Sequence, residues 1–426
     1  MTLNGTLYDG WRIGDKCLSV GAGRDMKIFV VNCGSSSIKY QLFSMANEVV
    51  LARGVLERVG TGDARLHHAA GNSDFETDVD APDHTAGIKL ILDALVDGDA
   101  GVINSVDEIA GVGHRVVHGG EELTHSSLID DELMTVIARN ADLAPLHNPP
   151  NLAGIAAAQK AMPNVSHVAV FDTAFLATLP PKAYRYAVPE QWYAEHHVRR
   201  YGFHGTSHRY VTLAAAKLLG KAPDDVNLIT VHLGNGCSMT AVAAGKAVDH
   251  SMGMTPLEGL MMGTRSGDID PAVALYMISQ GLSAQEVDDA LNKKSGLLGV
   301  SGLGNDMRDL LAAAAGGNDR AQLAVDMFVY RIVKYVGAYH AIVPELDAVV
   351  LTGGIGENSR PVRRGICESL AGLGVVADED RNQATIRGKT GPITSDDSPL
   401  GVWVVPTNEE LMIARDTQAV IAASAG

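Results

Sequence analysis

The sequence has few cysteines, a deficit of positive charge and no long apolar run. Its four cysteines, Cys17, Cys33, Cys237 and Cys367, lack the CxxC spacing of zinc sites, and no disulfide framework is indicated. The 34 basic residues against 50 acidic ones give a formal net charge of -16, which argues against a surface for nucleic acid or anionic membrane. No apolar run is long enough to span a bilayer. These absences predict a soluble cytoplasmic protein without nucleic-acid or membrane partners.

The familiar nucleotide-binding motifs are missing as well. Gly388-Lys389-Thr390 resembles the end of a P-loop, but Gln383 stands where the first glycine belongs. No GxGxxG motif is present either. Phosphate binding would therefore need another kind of turn.

A chain of 426 residues exceeds one ordinary hydrophobic core, so we expect two domains. Residues 1–25 carry charges where a signal peptide needs an apolar core, and we expect a disordered leader there. Pro180-Pro181 is a candidate boundary between domains. We predict an N-terminal domain of residues 26–178 plus 410–426, with a returning C-terminal helix, and a C-terminal domain of residues 179–409.

Three glycine-rich turns each follow an apolar run. Residues 227–245 indicate a strand, a turn and a second strand of alternating small residues. A second apolar run entering a glycine-containing turn lies at residues 27–43, where Gly34 aligns with Gly234. A third lies at residues 349–359. Glycines allow positive φ and let backbone N–H groups approach an anion, so the three turns could surround one polyphosphate.

Hydrophobic periodicity and turn residues predict the other elements. Strands are predicted as a meander over residues 26–51 and at 109–117, 165–171 and 402–405. Helices are predicted at residues 85–96, 130–141, 152–162, 321–342 and 409–422, and another is capped by Thr206 or Ser207 and closed by Gly220. Residues 60–84 are read as a loop or edge hairpin, and 144–151 as a rigid loop whose Asn151 caps the next helix. Residues 251–271 form a long loop of the kind that is usually functional or mobile.

Eight collinear motifs together resemble the acetate kinase family. They are NCGSSSIKYQLF, GHRVVHGGE, LHNPPN, FDTAF, RRYGFHGTSH, HLGNG, MGTRSGDIDP and TGGIGENS. The resemblance covers about residues 26–422 and implies an α/β protein of two actin-like (ribonuclease H-like) domains. Their mixed sheets are flanked by helices, with the active site in the cleft between them. The resemblance also implies a homodimer and reversible transfer between ATP and acetate to give acetyl phosphate and ADP. It further implies that the transfer depends on Mg²⁺, for which Mn²⁺ could substitute.

Two arginines are candidate anion ligands. Arg115 and Arg265 lie in glycine-rich motifs that are poor in side chains able to neutralise them. A guanidinium fork can hold a carboxylate or a phosphoryl group in fixed geometry. The resemblance implies that Arg115 binds the substrate carboxylate and that Arg265 stabilises the transition state. A surface arginine is the alternative for either.

A histidine and an aspartate complete the catalytic set. His204 could donate to equatorial phosphoryl oxygens, and the family motif selects it among fifteen histidines. Asp172 follows a predicted strand and could be a base, a metal-shell ligand or a helix cap. Because acetate is already ionised at neutral pH, we favour Asp172 as an organiser of Mg²⁺ or of an arginine.

The remaining polar candidates would bind metal and nucleotide. Asn32 and Glu409 are oxygen donors suited to Mg²⁺, although Glu409 could instead compensate a helix N-terminus. Lys39 could reach the β- or γ-phosphate. The resemblance assigns further nucleotide contacts to His232, Leu233, Gly234, Asn235, Gly236, Asp306, Met307, Arg308, Gly354, Ile355, Gly356, Glu357 and Asn358. For Asp306 and Arg308, a helix-surface ion pair is the competing interpretation.

The acyl pocket of the family maps onto Val117, Leu146, Phe203 and Pro256, for which core packing is the alternative. We predict direct in-line phosphoryl transfer after domain closure has expelled water. One rival function is a propionate or other short-chain acyl kinase on the same scaffold. Another is an actin-like ATPase or filament protein, which would have no need of the Arg115 carboxylate clamp.

Overall fold

The computed structural model describes residues 25–145 and 147–424. The predicted leader, apart from Asp25, and the pocket candidate Leu146 lie outside these residues. Among the described helices, none has the length and apolarity needed to cross a membrane.

The first half of the chain builds an eight-stranded mixed sheet. Its strands are β1 (Lys27–Cys33), β2 (Ser37–Ser44), β3 (Val49–Glu57), β4 (Ala64–Ala70), β5 (Ser73–Val79), β6 (Ile109–Val116), β7 (Ser127–Leu128) and β8 (Ser166–Phe171). Their spatial order is β5-β4-β3-β2-β1-β6-β8-β7. Strand β1 pairs antiparallel with β2 and parallel with β6, which in turn runs parallel to β8.

The second half builds a six-stranded sheet on the same plan. Its strands are β9 (Leu228–Leu233), β10 (Cys237–Ala243), β11 (Lys246–His250), β12 (Ala348–Thr352), β13 (Gly391–Pro392) and β14 (Gly401–Val404). Their order is β11-β10-β9-β12-β14-β13. Strand β9 pairs antiparallel with β10 and parallel with β12, as β1 does with β2 and β6.

Helices cover both sheets. The α-helices are α1 (His84–Val96), α2 (Asp131–Arg139), α3 (Asn148–Ala161), α4 (Pro181–Tyr184), α5 (Glu190–His196), α6 (Gly205–Leu218), α7 (Ala272–Ser279), α8 (Ala284–Lys293), α9 (Gly296–Ser301), α10 (Met307–Ala315), α11 (Asp319–His340), α12 (Gly353–Asn358), α13 (Arg360–Ser369), α14 (Glu379–Ala384) and α15 (Glu409–Ser424). Short 3-10 helices lie at Val106–Glu108, Asn140–Leu143, Ala174–Thr178, Pro223–Asp225 and Ala371–Leu373.

The pleat of each central strand explains why both of its faces are buried. In β1, Phe29 and Val31 pack with α1 and α3, whereas Ile28 and Val30 pack with α15. In β9, Val231 and its alternate neighbours pack with α11, and the opposite face packs with α6. Successive side chains of a strand point to opposite faces, so these apolar runs require helices on both sides.

Two predicted helix starts were wrong, and each difference brings a side chain to the site. Helix α3 begins at Asn148 because Pro149 and Pro150 are tolerated in a first helical turn. Asn151 therefore lies inside the helix and does not cap it. Helix α6 begins at Gly205 after His204, and neither predicted cap, Thr206 nor Ser207, acts as one. The alternative of an edge hairpin for residues 60–84 is confirmed by β4 and β5.

Candidate active site

An ion pair between a half-buried arginine and a buried aspartate joins two neighbouring strands of the first sheet at their carboxyl ends. Asp172, directly after β8, accepts from Arg115 Nε at 3.0 Å and from Nη2 at 2.5 Å. Arg115 Nη1 also donates to Asn32 Oδ1 at 3.4 Å. The expectation that Arg115 lacks a neutralising neighbour was wrong, because the parallel pairing of β6 with β8 brings Asp172 beside it. Asp172 here orients an arginine in a bidentate geometry.

His204 is held in a strained backbone conformation at the start of α6. Its φ is 59°, in the left-handed region that residues other than glycine rarely adopt. The following N–H, that of Gly205, donates to the Asp172 carbonyl at 2.8 Å. A Cβ on Gly205 would lie 2.1 Å from that carbonyl oxygen, so only glycine permits the approach. This contact fixes His204 next to the ion pair.

The turn between β9 and β10 converges on the same place. A Cβ on Gly236 would lie 3.2 Å from His204 Cε1 and 3.5 Å from Arg265 Nη1. Gly234 donates its N–H to Gly236 O at 3.0 Å, so that amide is used within the turn. Neither Gly234 nor Gly236 has positive φ, so that part of the expected reason for glycine was wrong here. Close approach to His204 and Arg265 is the reason at Gly236.

Arg265 comes from the long loop of residues 251–271, where the structure forms neither a helix nor a strand. The loop is tied to the turn by a hydrogen bond from Gly263 N to Asn235 O at 3.0 Å. Arg265 Nη1 donates to Pro256 O at 3.3 Å, and among the described residues it has no carboxylate partner. Burial lowers the pKa of this arginine from its usual value, but it stays a cation at neutral pH.

Glu409 and Asn32 supply oxygen atoms beside the ion pair. Burial raises the pKa of Glu409 to about 7, against the opposing charge of Arg115 and with a further push from Asp172. A carboxylate that is costly to ionise in a cluster of oxygen donors would gain from a hard cation. The residues present thus fit Mg²⁺. Lys39 is exposed on β2 and interacts electrostatically with Glu409.

A cavity of about 810 Å³ opens next to the turn, a volume suited to a nucleotide. Its lining includes predicted residues from three separate motifs: Gly234, Asn235, Asp306, Met307, Arg308, Gly354, Ile355 and Asn358. It also includes residues that were not predicted: Asn305, Leu311, Ser359, Arg360 and Pro361. Most of these could have been found, since they extend the predicted motifs by one to three residues.

Other predicted nucleotide contacts do not line this cavity. Leu233 is fully buried in the core. Glu357 accepts from Gly353 N at 2.9 Å and from Thr407 N at 3.2 Å, which ties α12 to the segment before α15.

Asp306 and Arg308 do line the cavity, but they also form the competing ion pair at 2.5 Å, with 89% of the Arg308 side chain exposed.

The remaining predicted nucleotide residues lie around the turn. His232 stacks on His204 with ring centroids 4.5 Å apart, and its Nδ1 contacts Ser207 Oγ at 2.8 Å. Gly356 is buried in α12 close to Leu233. Neither residue is part of the cavity lining, so their positions favour support of the site over contact with a nucleotide.

Three of the apolar pocket candidates, Val117, Phe203 and Pro256, lie among the described residues. Val117 follows β6 of the first sheet, yet it belongs to the large apolar cluster of the second half together with Phe203. Pro256 adjoins Arg265 through the hydrogen bond described above. Sequence reasoning missed Asn151, whose Oδ1 accepts from Val117 N at 3.1 Å while its Nδ2 donates to Cys33 O at 2.8 Å. A buried asparagine within a proline-rich motif was the available signal.

Comparisons with known proteins agree with this geometry. A sequence profile described as the Acetokinase family matches residues 27–415. The chain is 52% identical to an acetate kinase from Natranaerobius thermophilus over 398 residues, which cover 93% of this chain and 100% of that protein. It is also 52% identical to an acetate kinase from Thermotoga maritima, with 93% and 99% covered.

Solved structures give the same result for the fold. A Porphyromonas gingivalis acetate kinase superposes with a TM-score of 0.89 at 47% identity, covering 93% of this chain and 100% of that one. A propionate kinase from Francisella tularensis superposes with a TM-score of 0.87 at 41% identity and the same coverage. These similarities confirm the predicted fold of two actin-like domains. The chain belongs to the acetokinase family.

Proposed function

We propose that this protein is an acetate kinase, which transfers the γ-phosphoryl group of ATP reversibly to a carboxylate oxygen of acetate by direct in-line displacement. The observation that carries the proposal is the convergence of Arg115, His204 and Arg265 around the Gly236 turn, which also borders the nucleotide-sized cavity. Phosphoryl transfer needs positioning and electrostatic stabilisation more than covalent help from the protein. This site offers hydrogen-bond donors and cations that could position and stabilise a phosphoryl group.

Arg115 would bind the acetate carboxylate, and Asp172 would orient Arg115. Asp172 accepts from Nε and Nη2 of the guanidinium, and Nη1 donates to Asn32. Nη1 is therefore the nitrogen of Arg115 that Asp172 leaves available for acetate. Because acetate needs no deprotonation, the carboxylate of Asp172 is best used in fixing that cation. A bound acetate would then present one oxygen to the incoming phosphorus.

His204 and Arg265 would stabilise the charge on the equatorial oxygens of the phosphoryl group. Burial, reinforced by His232 and His208, holds the pKa of His204 well below its usual value, so its imidazole is neutral. A neutral N–H and a permanent guanidinium cation can both donate without changing protonation state during transfer. We propose direct transfer between the two bound substrates, because Asp172 is engaged by Arg115, Glu409 is assigned to the metal and His204 to hydrogen-bond donation.

Asn32 and Glu409 would hold Mg²⁺, directly or through water, at the end of the site next to Arg115. When bound, the ion would neutralise charge on the β- and γ-phosphates. Lys39 on the exposed side of β2 would add a mobile positive charge near the same phosphates. The cavity residues Asn235, Gly354 and Ile355 would contact the nucleotide itself.

The acyl pocket favours a small acid. Val117 is buried with Phe203 in an apolar cluster directly after the strand that carries Arg115, which limits space beside the carboxylate. The similarity to a propionate kinase keeps a three-carbon acid as the second candidate substrate. An apolar pocket discriminates one methylene by only about 1 to 3 kcal/mol, so both acids should react.

The decisive experiment is trapping of the acyl phosphate with hydroxylamine. The protein is incubated with Mg-ATP and either acetate or propionate, and the hydroxamate formed is measured against a reaction without acid. We expect hydroxamate with both acids and a higher kcat/KM for acetate. ATP hydrolysis without hydroxamate would instead support an actin-like ATPase. A higher kcat/KM for propionate would move the assignment to propionate kinase.

We also propose a homodimer located in the cytoplasm, where the buried thiols of Cys33, Cys237 and Cys367 stay reduced. Helix α7 supports a dimer, because its sequence is almost entirely apolar and yet it buries no residue. Leu275 is 70% exposed and Tyr276 is 62% exposed, the pattern of a surface covered by a second copy.

Light scattering after size exclusion tests the dimer. The native protein should have twice the chain mass, and Leu275→Asp should shift it to monomer. Leu218→Asp, which changes another exposed leucine on α6, is the matched control and should stay dimeric. A monomeric native protein would contradict the proposed homodimer.

A further inference from the structure

A chain of buried hydrogen bonds extends from His204 into the core. His204 Nδ1 contacts Ser238 Oγ at 2.8 Å, and Ser238 Oγ contacts His208 Nε2 at 2.7 Å. His208 Nδ1 then contacts Thr230 Oγ1 at 2.7 Å. Ser238, His208 and Thr230 are fully buried. We call these four residues the histidine relay.

The fold brings the relay together through two simple periodicities. His204 and His208 are four residues apart at the start of α6, so their rings lie on one helical face. Thr230 on β9 and Ser238 on β10 come from paired antiparallel strands, where Thr230 lies opposite Thr240 and Ser238 lies two residues before Thr240. Alternate residues of a strand share a face, so both hydroxyls point towards α6.

Counting hydrogens sets the direction of the relay. Burial holds the pKa values of His204 and His208 well below their usual value, so each ring carries a single N–H. With the two hydroxyls, the relay has four hydrogens for three internal bonds. One hydrogen must therefore be left outside these three bonds: on Thr230 Oγ1, on His204 Nε2, or on Ser238 Oγ if that hydroxyl accepts from both histidines.

The two ends are not equivalent. Thr230 is fully buried, and His208 is its hydroxyl's hydrogen-bond partner among the described residues. A hydrogen pointing out of the relay from Thr230, or from the equally buried Ser238, would be a buried donor without an acceptor among the described residues, which is costly. His204 Nε2 faces the Gly236 turn and the cleft, where a phosphoryl oxygen can accept. The free hydrogen is more favourable at His204.

We propose that Ser238, His208 and Thr230 are positioning residues that hold His204 as the tautomer with Nδ1 bare and Nε2–H directed into the cleft. Thr230 donates to His208 Nδ1, His208 Nε2–H donates to Ser238, and Ser238 donates to His204 Nδ1. The inference rests on the proposed function only in naming a phosphoryl oxygen as the acceptor of Nε2–H. The tautomer itself is a property of the protein alone.

The first test is ¹⁵N NMR of the ligand-free protein with labelled histidine, in which the His204 signals are assigned by their loss in His204→Gln. Protonated and bare ring nitrogens have well separated shifts. We expect His204 Nε2 protonated and Nδ1 bare. A protonated Nδ1 in the native protein would overturn the proposal, whatever the activity of the enzyme.

The second test uses a matched pair of threonines. Thr230 and Thr240 lie directly opposite on β9 and β10, both are fully buried, and each bonds to Nδ1 of a histidine. Only Thr230 is in the relay, because Thr240 contacts His250, whose Nε2 accepts from Phe203 N at 3.1 Å. Thr230→Val should mix the His204 tautomers and lower kcat several-fold, while Thr240→Val should leave the His204 shifts unchanged.

Ser238→Ala removes the link next to His204 and should have the larger effect. We expect kcat to fall by about 10-fold or more, with KM for ATP and acetate changed by less than about 2-fold, since the lost function is transition-state donation. Equal losses of kcat in Ser238→Ala and Thr240→Val would mean that the relay only supports the fold. A native protein that forms no acetyl phosphate would refute the proposed function and leave the NMR result standing.

Discussion

Two hairpins, β1–β2 in the first sheet and β9–β10 in the second, share a pairing plan but differ in what covers them. In each turn, a glycine N–H donates back into the turn, from Gly34 to Ser37 O at 2.8 Å and from Gly234 to Gly236 O at 3.0 Å. The first turn is exposed at its tip, and Lys39 beyond it is exposed as well. The second turn is exposed at Asn235 as well, but in the strand that follows it every residue from Cys237 to Val242 is buried.

The difference shows how the same hairpin topology can serve two functions, one flexible and one rigid. A solvated hairpin can carry a long charged side chain such as Lys39, which keeps its freedom until a phosphate binds. A buried hairpin can hold donors at fixed distances, as the Gly236 turn does with His204 and Arg265. Fixed donors suit transition-state stabilisation, because no reorganisation is needed when charge develops. The following predictions test this division.

The largest expected effect is at Arg265, which the buried hairpin holds in place. Arg265→Ala should lower kcat by roughly 10²-fold or more, the loss typical of a donor to developing charge, with little change in nucleotide affinity. Steady-state kinetics and a nucleotide titration measure both quantities. Arg364→Ala, at an exposed arginine paired with Glu379, is the control. A near-normal kcat with a raised KM for acetate would instead make Arg265 a binding residue.

The hairpins can be compared directly by adding one methyl group to each turn. Gly236→Ala would place a Cβ 3.3 Å from His204 Nε2, so we expect kcat to fall by about 10-fold as the catalytic groups are displaced. Gly34→Ala would meet the Ser37 hydroxyl at 3.2 Å, which can rotate away, and should cost much less. Similar losses in both variants would contradict the proposed division of tasks.

A smaller effect is expected at Val117, where the two halves meet. Val117→Ala removes two methyl groups from the proposed acyl pocket and should raise kcat/KM for propionate relative to acetate by several-fold, with ATP parameters unchanged. Both acids are compared at saturating Mg-ATP. Val50→Ala, at an exposed valine of β3, controls for nonspecific effects. An unchanged ratio would show that Val117 does not line the acyl pocket.

The smallest effect is a pH dependence of stability at Glu409. Its pKa of about 7 in the folded state exceeds the usual 4.5, so the folded state binds the extra proton and the free energy of unfolding falls as pH rises through that window. Without Mg²⁺, Glu409→Gln should therefore raise Tm by about a few degrees at pH 8 and leave it unchanged at pH 4. Added Mg²⁺ should narrow the difference. A lower Tm of the variant at pH 8 would contradict the sign.

The sequence predicted most of the fold because its signals were local. Apolar runs that end in glycine-rich turns identified β1, β9 and β12, and helical spacing identified α11 to within two residues at each end. The site was harder to predict, because its partners are distant in the chain. Asp172 was expected to organise Mg²⁺ or an arginine, but the sequence did not identify Arg115 as its partner, because the pairing of β6 with β8 is what brings the two together. The histidine relay was missed for the same reason, since it needs both the face of α6 and the pleat of β10.

Asp172 has a mechanical consequence through its main chain. Its N–H donates to Val116 O at 3.0 Å in the first sheet, and its carbonyl accepts from Gly205 N at 2.8 Å at the start of α6, which packs on the second sheet. Asp172 thus connects the two halves through its main chain and lies at a hinge point between them. Rotation about a hinge displaces nearby residues little and distant residues much more. We therefore expect the rim of the nucleotide cavity to open widely for exchange while His204 and Arg115 keep their spacing.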